Sequence, residues 1–214
     1  MSELIRGLAE PLPAGERVLW QGAPRWQPLF VHAFHGRKLA FYFGAILLLR
    51  GAFAAADGAS LAQAAVSALW LAPLALAALG LVALIAVLTA RTTIYAITDR
   101  RVVMRIGIVL AITINIPFRI VESAGCRRYA DGSGDLPLAL RAGDRLAWLH
   151  LWPHVRPWRV AHPQPMLRAV DDAEGVASVL SRALAESAGG TGRAAPEAVA
   201  GTIPDRGPLV PATH

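Results

Sequence analysis

The residues with the widest chemical reach lie in one stretch, WLHLWPHVRPWRVAHPQPMLR at 148–168. It holds Trp148, Trp152, Trp158, His150, His154, His162, Arg156 and Arg159, stiffened by four prolines. Imidazoles can ligate metals or move protons. Indoles interleaved with guanidinium groups suit a preorganised contact surface, with large area, a polar handle and a low entropy cost. Trp and Arg are also common at the energetic centres of interfaces. Two readings stay open: a surface that meets a partner or membrane, and a long loop whose tryptophans pack back on their own sheet. The residues expected to bind a partner are Trp152, His154, Arg156, Trp158 and Arg159. Metal ligation is not expected. His150 and His154 are four apart, but Pro153 forbids the helix that would align them. His32 and His35 lack a carboxylate or thiolate companion and make a poor zinc site.

Catalysis finds little support. There is no G-x-S-x-G, no H-E-x-x-H and no glycine-rich phosphate loop. Asp131 and Asp135 flank Gly-Ser-Gly, which is turn chemistry and not a paired-acid site. Cys126 adjoins Arg127 and Arg128, which could lower its pKa, but no histidine neighbours it; a lone cysteine in a strand is more often buried. As the sole cysteine it excludes an intrachain disulfide. The expectation is a protein that is not an enzyme and carries no cofactor.

The elements that must position these residues begin with greasy ones. Of 214 residues 55% are hydrophobic, above the roughly 45–50% of soluble domains, so part of the chain is expected in lipid. The N-terminus MSELIRGLAEPLPAGE has no apolar core and does not read as a cleaved signal. Residues 12–22 read as a turn and a brief strand. Residues 26–38 place Leu29, Phe30, Ala33 and Phe34 on one face of an interfacial helix. A first span is expected over 39–56, about 27 Å at a helical rise, with Arg50 inside it. That arginine either snorkels to the far headgroups or pairs with a partner subunit's carboxylate. A loop over 57–68 leads to a second span, 69–89, without a charge. Arg37 and Lys38 precede the first span, Arg91, Arg100 and Arg101 follow the second, and the loop has no Lys or Arg. The positive-inside rule therefore places both termini in the cytoplasm and the 57–68 loop outside. Gly44, Gly80, Ala86 and Ala90 permit close helix packing, which leaves a homo-oligomer open.

RRVVMRIGIVLAITINIPFR, 100–119, decides the nature of the C-terminal half. Its thirteen uncharged residues, Ile106 to Phe118, are too few for a helix to span a bilayer, where about 20 are needed. The run is β-branched and alternates from Ile112 onward, period two and not 3.6. It predicts a hairpin: strand 101–106, a turn near Gly107, strand 109–116. Further strands are expected at 92–98, within 119–130, at 136–141, 145–152 and 166–170. An amphipathic helix is expected over 171–187, with Val176, Val179, Leu180, Ala183 and Leu184 on one face. Residues 188–214 lack periodicity and are expected to be disordered. The domains are thus 1–38, a transmembrane hairpin 39–90, a cytoplasmic domain 91–187, and the tail. About seven short antiparallel strands closed by one helix form a barrel or sandwich of pleckstrin-homology (PH)-like order. The fold class is membrane α+β. The net charge of +6 is read as membrane retention, with Arg37, Lys38, Arg91, Arg100, Arg101 and Arg105 against anionic lipid. No basic cluster lies on a nucleic-acid reader motif.

Two segments carry a resemblance. GERVLWQG, followed by YAITDRRVVMRIG directly after a helical hairpin, resembles the bacterial PH-like membrane proteins of the YdbS type. EPLPAGERVLWQGAP, AFHGRKLAFYF, DGSGD and LWPHVRPWRVAHPQPMLRAVDDAE extend it. Together they resemble the photosynthetic-complex assembly proteins of purple bacteria, the PuhB type, over residues 8–185. The resemblance implies transient binding of reaction-centre and core antenna subunits. The alternative is a general lipid- or envelope-associated PH-like membrane protein unrelated to photosynthesis.

Overall fold

The computed structural model describes residues 12–13, 15–141, 151–157 and 163–189. The expected tail falls outside them beyond residue 189, as does the expected strand 145–152 except for Leu151, which is helical, and Trp152, which lies in a turn.

Strand β1, Val18–Gly22, opens the chain. A single turn, α1 (Trp26–Pro28), runs into a π-helical turn, Leu29–Ala33. His35 then adopts a left-handed conformation at φ 55°, which breaks the expected continuous interfacial helix and lets the chain turn into α2, Gly36–Ala56. Helix α2 thus begins three residues earlier than expected and carries Arg37 and Lys38 in its first turn. The expected loop 57–68 is instead largely helical: α3 spans Leu61–Leu69. Its cause is a capping box. Ser60 Oγ accepts from the Gln63 amide at 3.3 Å, and Gln63 Oε1 accepts from the Ser60 amide at 2.9 Å. Helix α4, Ala72–Thr92, follows almost without interruption. Pro73 cannot donate its hydrogen bond, so the break falls in the turn before it. Gly51 of α2 lies close to α3: a β-carbon there would stand 3.5 Å from the Ala64 carbonyl and from the Ala68 methyl. Both helical segments, Gly36–Ala56 and Leu61–Thr92, are long and apolar enough to cross a membrane.

Beyond α4 come β2 (Ile94–Thr98), β3 (Arg101–Ile106) and β4 (Ile112–Pro117). They form an antiparallel sheet in the order β1-β2-β3-β4. The thirteen uncharged residues are therefore half of a β-hairpin. Its turn needs Gly107, whose φ is +121° and whose β-carbon would stand 2.0 Å from the Leu110 carbonyl oxygen. The second sheet is built on β7, Gly134–Leu140. Along one edge run β5 (Val121–Ala124) and β6 (Arg127–Arg128), which keep one register with β7 from Ser123 onward, after a shift between Val121 and Ser123. Along the other runs β8, Met166–Val170. Helix α5, Ala173–Gly189, closes the domain. Asp172 Oδ1 accepts from the Gly175 amide at 3.2 Å, an N-cap bond.

The described residues hold eight strands where about seven were expected. The brief strand expected within 12–22 is β1; it precedes the helical hairpin in sequence but joins the sheet domain, pairing Gly22 with Tyr95, so that domain draws on both sides of the hairpin. Between the sheets lies an apolar core that includes Tyr95, Ile97, Met104, Ile116, Leu136, Leu138 and Leu167, onto which α5 packs Val176, Leu180 and Ala183. Val179 and Leu184 are only partly buried: the buried stripe is narrower than the sequence suggested.

Candidate functional site

Both ends of the helical hairpin meet the sheets at one place. Thr93 ends α4, and His35 precedes α2. Between them and β8 lies a polar cluster inside an otherwise apolar interior. His154 is fully buried. Its Nδ1 lies 2.6 Å from the Tyr95 hydroxyl and its Nε2 3.2 Å from Thr93 Oγ1. The Tyr95 hydroxyl in turn accepts from the Arg168 amide at 3.2 Å. Burial, seconded by the positive charge of Arg168, pushes the imidazole down to about 3. His154 is therefore neutral at physiological pH. Burial also drives the Tyr95 hydroxyl far above its ordinary range.

This corrects the reading of His154 as a partner contact. The turn through Pro153, joined to Trp152 by a cis peptide bond, carries His154 inward. Its own amide donates to the Leu151 carbonyl at 2.5 Å, and its carbonyl accepts from the Met166 amide at 2.9 Å. Trp152 is on the surface instead, 53% exposed, with its ring edge-on to Phe34 at 5.8 Å. Arg156 is half-buried and donates to Gln164 Oε1 at 3.0 Å, tying the two arms of the loop together. Trp158 and Arg159 lie outside the described residues.

A second part of the cluster holds the 26–35 segment onto β8. Asp135 is buried; its Oδ2 accepts from the Tyr129 hydroxyl at 2.5 Å and its Oδ1 from the Ala169 amide at 2.9 Å. The latter bond holds Ala169 in a left-handed conformation, φ 51°. Burial, and then the charge of Asp135, raise the Tyr129 hydroxyl well above its usual value. His32 stacks on the Tyr129 ring, centroids 3.7 Å apart and 5° from parallel. The Arg25 amide donates to the Ala169 carbonyl at 2.8 Å. Replacing Asp135 by alanine leaves the Tyr129 hydroxyl and the Ala169 amide without partners. The expected loss is about 3 kcal/mol, read as a fall in thermal midpoint, against about 1 kcal/mol for Tyr129→Phe, which leaves the Ala169 bond intact.

The basic residues divide by position. Arg37, Lys38 and Arg91 are exposed at the ends of α2 and α4. Arg105 is level with them, because it pairs with Ile94 at the start of β2. Arg100 and Arg101 do not sit there. Strand β2 runs away from α4, so the turn that bears them is some five residues, about 16 Å, further along. Arg101 is also committed: its guanidinium makes two bonds to buried Glu16, at 2.8 and 2.9 Å. Arg50 is exposed on α2, beside a groove lined with Val66, Ser67, Trp70 and Leu71. Cys126 is exposed rather than buried. Its arginine neighbours do not activate it; partial desolvation, then Glu174, push the thiol up. Nothing in the sequence marked Tyr95, Asp135 or Arg168 as members of one cluster.

An apolar hairpin pair, an eight-stranded antiparallel domain and a closing helix define a PH-like chain. Residues 44–184 match the bacterial PH domain family, and the chain belongs to it. A relative in Rhodobacter capsulatus, an uncharacterized 23.7 kDa protein in the puhA 5' region, is 39% identical over 183 residues, 83% of each chain. No catalytic family is indicated by these similarities. No solved structure matches the chain.

Proposed function

We propose that this chain is a membrane-anchored, non-enzymatic assembly factor for the photosynthetic reaction centre and its core light-harvesting antenna. It spans the bilayer twice through Gly36–Ala56 and Leu61–Thr92, with both termini cytoplasmic, and binds assembling subunits transiently. The observation that carries the membrane placement is the register of β3 and β4. Ile94↔Arg105 and Ile106↔Ile112 set the β3–β4 tip at the end of the sheet from which the helices leave. That tip is Gly-Ile-Val-Leu-Ala, with Val109 91% and Leu110 80% exposed. Uncovered apolar side chains of this size favour a nonpolar phase by about 1.5–3 kcal/mol each. They are at home at the bilayer surface, with Arg105 beside them at headgroup level. Trp152 and Phe34 lie at the same level, since Phe34 stands two residues before α2. The photosynthetic part is supported by the relative in the puhA 5' region and by the PuhB-type resemblance over residues 8–185.

In this reading Trp152 presents an aromatic anchor to a subunit already in the membrane, with Trp158 and Arg159 on the same loop. Arg50 meets a carboxylate of that subunit near the far side. Completion of the complex removes the surface bound by the factor and releases it by mass action. The test is deletion of the gene in its host, read by near-infrared absorption of the membranes. Reaction-centre and core-antenna bands should fall severalfold while peripheral pigment survives, and a Trp152→Ala copy should restore them only in part. Unchanged bands under phototrophic growth would instead make the chain a general lipid-associated PH-like membrane protein.

A further inference from the structure

Among the described residues, two buried side chains of opposite charge, Arg168 and Asp135, form no ion pair. Arg168 on β8 is 7% exposed. Its backbone amide is bonded to Tyr95, but its side-chain Nε has no hydrogen-bond partner. None of the ion pairs includes it. The carboxylate of the same cluster, Asp135, already accepts from Tyr129 and Ala169. A guanidinium cannot relieve its burial by losing a proton, and a buried charge without a partner is strongly unfavourable.

The surroundings add positive charge. Leu167 packs into the core between the sheets, so strand alternation turns Arg168 to the opposite face, where the π-helical turn Leu29–Ala33 lies against β8. His35, at the entry to α2, feels the charges of both Lys38 and Arg168, which add to burial in holding its imidazole below its ordinary value. Arg168 and Lys38 thus both lie within electrostatic reach of His35, where α2 leaves the sheets.

We infer that Arg168 and Lys38 form a binding site for a phosphate group, supplied by the headgroup of an anionic membrane phospholipid. Arginine's planar fork matches phosphate oxygens two at a time, Lys38 adds a mobile ammonium, and neutral His35 can donate one N–H. The lipid source rests on the membrane reading above: Lys38 lies in the first turn of a span, where anionic headgroups gather around basic juxtamembrane residues.

The experiment uses the full chain purified in a neutral maltoside detergent, melted with added phosphatidylglycerol, with phosphatidylcholine, or with inorganic phosphate at matched ionic strength. Phosphatidylglycerol near saturation should raise the thermal midpoint on the order of 5 °C. Phosphatidylcholine, whose quaternary ammonium cancels the charge, should do little. Arg168→Gln and Lys38→Gln should each lose more than half of the shift. Arg168→Gln should also melt no lower than the native chain without lipid, because its unpaired charge is gone. An undiminished shift in both variants, or an equal response to phosphatidylcholine, would overturn the site. Inorganic phosphate acting as strongly as phosphatidylglycerol would overturn the lipid source. Should Arg168→Gln fail to fold, Lys38→Gln on the exposed first turn decides alone. Retention of the native chain in alkali-washed membranes tests the hairpin separately: release by alkali defeats the membrane reading and leaves the phosphate titration standing.

Discussion

Replacing His154 by leucine should lower stability by about 2 kcal/mol at pH 7.5, and this deficit should vanish near pH 5 and reverse below it. The first half follows from geometry. Leucine fills much of the imidazole's space but leaves Thr93 Oγ1 and the Tyr95 hydroxyl each a hydrogen bond short. The second half follows from linkage. Above pH 6.5 the imidazole is neutral in the folded and the unfolded chain. Below 6.5 the unfolded chain takes up a proton that the folded chain refuses until about pH 3. Stability conferred by the neutral buried ring is therefore present above pH 6.5 and lost as pH falls, at about 1.4 kcal/mol per unit. The leucine variant lacks this slope, so the two curves cross. Thermal or denaturant midpoints of both proteins between pH 7.5 and 4.5 measure it. A constant gap across that range would mean that His154 is not held neutral by the fold.

The second large effect is steric. A β-carbon on Gly134 would stand 2.3 Å from the Arg127 carbonyl oxygen and 2.7 Å from the Ala173 methyl. Neither neighbour can yield cheaply. The first is backbone of β6, paired through Arg128↔Gly134, and the second is the buried first residue of α5. Gly134→Val should cost more than about 4 kcal/mol, the range reserved for overpacking that moves backbone, and little folded protein should accumulate. Gly132→Ala is the control. Its φ is +81° but nothing lies within 4 Å of the added methyl, so only the left-handed penalty of about 1–2 kcal/mol applies. Equal yields of the two variants would show that α5 and β6 can separate without loss.

Local signals in the sequence carried much of this architecture. Period-two alternation at 112–116 distinguished a strand from a third span, and the glycine at 107 sits where the chain reverses. The acidic start at 171–174 and the spacing of Val176, Leu180 and Ala183 foretold α5. Ser60-x-x-Gln63 was equally legible as a capping box, but a connection between two apolar helices reads first as a loop. What stayed hidden depends on distant partners. Val18–Gly22 reads as a strand, but nothing in it names β2 as its neighbour. His154 reads as an exposed contact because its buried partners, Thr93 and Tyr95, are about sixty residues away. Arg168 looks like any strand arginine until the 26–35 segment is laid over it. Arg101 looks like a membrane-facing cation because the side chain that occupies it, Glu16, lies 85 positions earlier.

The position of β1 also sets an order of events during synthesis. Its partner β2 is made only after the whole hairpin: residues 23 to 93 separate the paired strands. Closing a loop of that length is slow and unfavourable while its contents are unstructured. It becomes easy once two packed antiparallel helices bring their outer ends together. The β1–β2 seam, locked by Asp99 accepting from the Arg17 amide and by Glu16 on Arg101, is therefore a checkpoint on the hairpin. A chain whose helices have not packed against each other presents β2 with a bare edge. That edge invites aggregation and proteases, so only copies with a formed hairpin survive to present a finished sheet domain.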